Sequence, residues 1–536
     1  MTPATALIFV LLSAASATPP VMVVPPEPPA APASDPTLVG PPPEPAPAPA
    51  PASPADASWV AEAVSDLLPR ALLRAGVAAV SRDDRLRAQA ALEIPRVPLT
   101  RATSIRLAEA LGASRLVVGT YALEGETLAL SLRVLDATRG SLGPPVDARG
   151  PLETLPELVD AVAWDMALAE PEPPVLTREV FGASRPWLRF EALRSYGQGL
   201  AARNVVNKGR LYRRALALEP GFDEARLALG RLQVETGEFS AGHDTLARIG
   251  AASPQARAAR FLQGLAQLEI GRYKEAAAVY ASLARDETTP AVLNNQALAL
   301  LRAGRAEPRA SSLLRRAVEM EPASIDLLFN LSWALLSEGD PGAADFFLRD
   351  VLEREPLDAH GRVVLVWALR KAGRTKEADE AWKGVVTLSP GYEGLARVDL
   401  ARRFERILPA ERMLVLSRGK RTPAEVAAGL IGKAERLTAT GDAAGALREL
   451  ERAAYLDPAA DRVHLLLARA YRATGQGDRA ANRYLMTLWA QDDPSVRAEL
   501  AAALKEMGRH QEARVEAEKV LRQDPQNETA RAVLQR

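Results

Sequence analysis

Cysteine is absent from all 536 positions, which removes thiol nucleophiles, disulfides and every cysteine-ligated zinc or iron–sulfur centre. Histidine is nearly absent too. The four that exist, His243, His360, His464 and His510, are too scattered to suggest a metal-ligand cluster, so no metal and no cofactor is expected. Neither sign of charge is in excess, with 67 Lys and Arg against 67 Asp and Glu. No global field draws the chain to nucleic acid or to an anionic membrane surface, and nucleic acid is not an expected partner. Long hydrophobic runs are missing as well. The best, Ala4 to Ala17, falls short of the roughly 20 apolar residues that cross a bilayer, so no integral membrane span is expected. Carboxylates are numerous but spread over helix surfaces, and no convergent acid, base and nucleophile set emerges. A non-enzymatic role is the expectation.

What is present begins with residues 1–17, an apolar stretch ending in the small triplet Ala15-Ser16-Ala17, which reads as a cleavable secretory signal although no Lys or Arg precedes it. A periplasmic or secreted location follows. With no cysteine at the cleavage point, a lipid-anchored mature end is excluded. Residues 18–56 hold 16 of the 41 prolines and form an extended Pro/Ala-rich segment, interrupted by the apolar island Val21-Met22-Val23-Val24.

From 57 to 169 helical and strand signals alternate. Trp59 to Leu73, Arg82 to Leu92, Thr103 to Leu111 and Leu152 to Leu168 read as helices, with Thr103 as a cap, and Val77 to Val80 as a short strand. The runs 115–123 and 128–135 flank Gly125 as a hairpin. Such alternation predicts a small layered α/β domain. The strings Leu111-Gly-Ala-Ser-Arg-Leu-Val-Val-Gly-Thr-Tyr121 and Leu132-Arg-Val-Leu-Asp-Ala-Thr-Arg-Gly140 resemble the TolB amino-terminal-like domain. Val21 to Pro25 and Trp59-Val-Ala-Glu62 are similar to that family's first strand and first helix, with the Pro/Ala stretch inserted between them. The resemblance implies that the island is strand one and the insertion a loop. The alternative is a tail before a domain that starts at Trp59. The resemblance also permits a role in envelope assembly.

After a junction at 170–185 the chain becomes helical and periodic. Gly237, Gly271, Gly304, Gly339, Gly373, Gly441, Gly475 and Gly508 are spaced 34, 33, 35, 34, 68, 34 and 33. Pro220, Pro254, Pro322, Pro356, Pro390, Pro458 and Pro525 keep the same period independently. Gly relieves a tight turn between antiparallel helices, and Pro stops the second helix before the next unit. The period, Leu229-Gly230, and the second-helix patterns Ala276/Tyr280, Ala344/Leu348/Pro356, Ala378/Trp382/Pro390 and Ala480/Tyr484 resemble the tetratricopeptide repeat. The fold expected is therefore α+β multidomain, a small α/β domain followed by an all-α tetratricopeptide-repeat solenoid. Its array covers 186–527 in about ten units, with a short capping helix at 528–536. Within it 391–426 is degenerate. Two whole periods separate Gly373 from Gly441, which predicts a helix pair in phase there, with a local bend as the alternative.

The resemblance implies that the first helix of each pair lines a groove. Trp333 and Trp367 share one unit position 34 residues apart, with Phe329 one turn from Trp333. They form either an aromatic platform for an extended peptide or filling between units. Asn294, Arg370 and Lys371 flank them, and Arg469 and Arg472 lie further along, the basic residues reading individually as solvated faces. The expected function is an interaction scaffold of the bacterial cell envelope that binds protein or peptide partners in this groove. The alternative is a cytoplasmic regulatory or sensor subunit using the same groove.

Overall fold

The computed structural model describes residues 19–28, 54–95, 99–304, 309–411, 422–458 and 460–535. The signal reading of 1–17 and most of the Pro/Ala segment lie outside the described residues. The chain forms two compact units, 1–309 with 407–416, and 310–406 with 417–536.

In the first unit the apolar island is a strand, β1 (Val21–Val23). It is followed by α1 (Pro54–Arg74), β2 (Ala79–Val80), α2 (Arg82–Ala91), α3 (Arg101–Ala110), β3 (Arg115–Glu124), β4 (Thr127–Asp136), β5 (Val146–Pro151) and α4 (Leu155–Leu168). The sheet order is β2-β1-β3-β4-β5, with β1 parallel to both neighbours and β3, β4 and β5 antiparallel. A strand covered on both faces must be apolar at every position, which is why the island carries no alternation. Val21 and Val23 pack with Trp59, Val64 and Leu68 of α1 and Val159 and Val162 of α4. Met22 and Val24 pack with Ala88, Leu107 and Ala108 of α2 and α3. Two local expectations need correction. The cap of α3 is Thr100, whose hydroxyl accepts from the Thr103 amide, and β5 carries no sequence signal because its residues Val-Asp-Ala-Arg-Gly-Pro are those of a half-exposed edge.

The junction is not a bare linker. It contains α5 (Arg178–Ala183), whose Phe181 is buried against Trp164 with ring centroids 5.3 Å apart. The helices α6 (Phe190–Ala201), α7 (Val205–Leu218) and α8 (Asp223–Glu235) then share one apolar core with the sheet domain. Gly197 of α6 makes this possible, since a Cβ there would stand 2.7 Å from the Trp59 ring. Charged residues border the seam. Arg70 donates to the Tyr196 hydroxyl at 3.2 Å, Tyr196 donates to Asp66 at 3.0 Å, and Asp83 pairs with Arg231. The unit continues with α9 (Phe239–Leu246), α10 (Ala256–Glu269), α11 (Tyr273–Asp286) and α12 (Pro290–Arg302).

The second unit contains α13 (Ala310–Met320), α14 (Ile325–Ser337), α15 (Pro341–Arg354), α16 (Ala359–Lys371) and α17 (Thr375–Leu388). After a break come α18 (Pro423–Ala439), α19 (Ala443–Leu456), α20 (Asp461–Ala473), α21 (Gly477–Ala490), α22 (Pro494–Glu506), α23 (His510–Gln523) and α24 (Glu528–Leu534). The periodic glycines sit just past the first helix of each pair. Gly339 is typical, with φ of 91° and no atom near a hypothetical Cβ, so the backbone conformation alone selects it.

From α6 to α23 the described residues hold eighteen helices, nine pairs in sequence order where about ten were expected. The missing pair is the degenerate stretch. Its described part is a 3₁₀ turn, Pro390–Leu395, followed by irregular chain from Ala396 to Glu411, and the next helix among the described residues begins at Pro423. Gly391, Gly394 and Pro409 disfavour two regular helices there, and the conserved phase is kept without them.

Candidate peptide groove and its resident segment

The tryptophans are where the periodicity places them, on α14 and α16, with ring centroids 6.2 Å apart. Both are buried. The irregular stretch packs against both. Phe404 stands edge-on to Trp333 at 5.7 Å, tilted against Trp367 at 5.4 Å, and 4.8 Å from the His360 ring. The Trp367 indole Nε1 donates to the Leu395 carbonyl at 3.0 Å. The tryptophan pair thus packs against an aromatic residue of the chain itself.

Beside this aromatic seat lies a main-chain grip. Asn330, fully buried on α14, donates through Nδ2 to the Arg406 carbonyl and accepts the Arg406 amide at Oδ1, both at 2.8 Å. A carboxamide offers one donor and one acceptor side by side, which matches the amide and carbonyl of a single extended residue. Such a grip reads the backbone and ignores the side chain. The Arg406 side chain is held separately, by Asp326 at 2.9 Å, by Asp358, and by stacking 4.0 Å over the Phe329 ring. His360 completes the wall. Burial holds its pKa below the ordinary imidazole value, Arg406 adds to this and Asp358 opposes it, so the ring is neutral near pH 7. Its Nε2 lies 3.2 Å from the Tyr392 hydroxyl.

In the first unit the same device recurs on α12. Asn295 donates to the Leu408 carbonyl at 2.9 Å and accepts the Leu408 amide at 3.0 Å. Glu411 is held by Arg257 of α10, with Nε contacts of 3.0 and 3.1 Å, and accepts from Thr289 at 3.4 Å. Ile407 packs on the apolar cluster of Leu227, Val234, Leu262 and Ala266.

Of the residues singled out by sequence, Phe329, Trp333 and Trp367 meet at this site. Asn294 is buried beside the grip and donates to Asn295 Oδ1 at 3.0 Å. Arg370 points to Asp379, at 3.8 Å, and to the Trp382 ring, and Lys371 is exposed at the end of α16. Arg469 and Arg472 bind Glu499 and Glu506 at 2.6 and 2.5 Å, tying α20 to α22 away from the aromatic seat. Sequence reasoning missed Asn295, Asn330, Asp326, Asp358 and Arg257. The signal was available for two of them, because Asn295 and Asn330 lie 35 residues apart, as do Gly304 and Gly339.

A separate cavity of about 1960 Å³ opens in the first unit, lined by Leu73, Arg74, Val175, Trp187, Tyr212 and Arg231. Trp187 and Val175 are 76% and 85% exposed there, an apolar rim without a function assigned by sequence. Among the described residues no group of His, Asp and Glu is placed to hold a metal, and no helix is long and apolar enough to cross a membrane.

Residues 209–268, from α7 to α10, match the family model described as tetratricopeptide repeat. Within the helical array, α7 to α10 therefore carry tetratricopeptide-repeat sequence. Among solved tetratricopeptide structures, the chain is similar to YrrB, a repeat protein with an unusual peptide-binding site, at 17% identity over 34% of this chain and 95% of that one, with a TM-score of 0.30. It is similar also to MamA of AMB-1, at 20% identity over 30% and 96%, TM-score 0.28. The carboxy-terminal part of a tetratricopeptide repeat-containing protein from Cytophaga hutchinsonii is 11% identical over 58% and 100%, TM-score 0.28. No curated protein matches the chain. Tetratricopeptide repeats generally mediate contacts between proteins.

Proposed function

We propose that the chain is a non-enzymatic interaction scaffold of the bacterial cell envelope, exported through residues 1–17, which takes extended segments of partner proteins against the first helices of its repeats. The observation that carries this reading is the carboxamide grip of Asn330 in the second unit, bonded to both backbone groups of one residue in a non-helical segment, a device that Asn295 repeats within the first unit. A groove equipped to hold main chain is a peptide-binding device. The domain similar to the TolB amino-terminal domain, joined to the first repeats through a common core, supplies a second surface at the 1960 Å³ cavity.

Crosslinking in cells followed by mapping of the joined residues tests the groove. Partner crosslinks on α14 and α16, lost in Asn330→Ala, are expected, whereas crosslinks confined to the cavity rim at Trp187 would move the binding site to the α/β domain. Fusing residues 1–30 to a reporter active only in the periplasm tests export. An inactive reporter would end the envelope assignment and leave a cytoplasmic regulatory subunit.

A further inference from the structure

We propose that the stretch Leu395–Arg406 is a resident ligand that closes the groove of the second unit in cis, and that partners enter by displacing it with an extended segment carrying an aromatic residue followed two positions later by arginine. The inference rests on the groove reading above and deepens it.

Three features distinguish a ligand from a strut. The segment is held at the Leu395 carbonyl, the Phe404 ring and Arg406, with exposed residues between these points. Phe404 is 6% exposed, whereas Arg397, Asp399 and residues 401–403 lie at the surface. Its best-defined polar contact, to Asn330, uses groups that every peptide possesses. And its specific contacts form a short code. In extended chain residues two apart face the same way, so Phe404 and Arg406 together meet the Trp333/Trp367/His360 seat and the Asp326/Asp358 pair. An arginine between two carboxylates and over an aromatic face is more specific than lysine, because the planar guanidinium both forks and stacks.

Departure of the segment leaves the helix pairs around it intact, since it supplies no helix of the array between Leu395 and Pro423 among the described residues. Tethering has a calculable effect. A flexible loop presents its own segment at an effective concentration of about 1 mM, so for an intrinsic Kd of about 10 μM the groove is closed about 99% of the time and an external segment binds about 100-fold more weakly.

The test uses the full chain and a fluorescein-labelled peptide of residues 398–406, Val-Asp-Leu-Ala-Arg-Arg-Phe-Glu-Arg. It is titrated by anisotropy into the wild type, into Phe404→Ala/Arg406→Ala, and into that variant with Asn330→Ala added. Binding at least about tenfold tighter to the double variant than to the wild type, and lost with Asn330→Ala, is the expected result. Equal affinity for the wild type and the double variant would overturn closure in cis while leaving the groove reading standing. Hydrogen exchange at the Arg/Ala406 amide shows whether the double variant has emptied its groove. An emptied groove that still refuses the peptide would sink both readings. A wild type that is dimeric by light scattering, with a monomeric double variant, would replace closure in cis by exchange of the segment between two copies.

Discussion

Asn330 and His360 illustrate how much a single side chain can decide at this site. Asn330 satisfies both backbone groups of Arg406, and its removal would strip the segment of two hydrogen bonds, each worth about 1 kcal/mol net. His360 sets the pH response. Its depressed pKa means that the neutral ring is the form compatible with the docked segment, so its contribution is present above the ordinary imidazole pKa and is lost as pH falls below it. The groups facing it are Asp358, Arg406 and the Tyr392 hydroxyl, and a protonated ring would stand beside the Arg406 guanidinium. We therefore expect backbone exchange in residues 392–406 to accelerate between pH 7.5 and 5.5, beyond the intrinsic rate change. In His360→Gln that step should vanish. An unchanged step in the variant would place the pH sensitivity elsewhere.

Among elements, the regular ones were legible and the irregular one was not. Helix pairs announce themselves through period, through the turn glycines and through small residues where helices approach, and every such glycine from Gly237 to Gly508 has positive φ. The island Val21–Val24 was legible as a strand only through the resemblance to the TolB amino-terminal-like domain, since four apolar residues among prolines do not by themselves announce one, and the structure makes Val21–Val23 a doubly covered strand. The segment 391–426 misled because its length equals about one repeat, and spacing arithmetic cannot tell a helix pair from a loop that closes on the same geometry. Its Phe and Arg look like any other surface residues until the groove is known. This element can be exchanged to check its role. Replacing residues 396–411 by a Gly/Ser linker of equal length should leave the helical circular dichroism per residue nearly unchanged while uncovering Trp333 and Trp367, giving a red-shifted tryptophan emission. Collapse of the helical signal would mean that the segment is a structural support.

For the molecule as a whole, the amino-terminal domain and the first repeats are one folding unit by construction. Their core is continuous through Trp59, Gly197, Tyr196 and Phe222, and Arg231 reaches across to Asp83. Burial opposes the charge on Asp83, but Arg231, Arg82 and Arg87 outweigh it and hold its pKa at about 2. The pair stabilises the unit above the ordinary carboxylate range, and this stabilisation fades as pH falls towards 2. Nicking the chain at a protease site inserted beside Glu172 should accordingly leave the fragments together on gel filtration at pH 7. Separation at pH 7 would show the two parts to be independent.

The position of β1 in its sheet also governs timing. It leaves the ribosome first, yet the strands on both sides of it come much later, β2 at Ala79 and β3 at Arg115. At about 5 to 20 residues per second, the roughly 100 residues between β1 and the end of β3 take on the order of 5 to 20 s to make. For that interval an apolar strand stands with two open edges, the arrangement most prone to pairing with another chain. Pro19, Pro20, Pro25 and Pro26 bracket it and have no N–H to offer a ladder, which the chain rejoins at Glu27 against Thr120. The prolines around the island thus act in time as well as in space, guarding an unfinished sheet until its partners arrive.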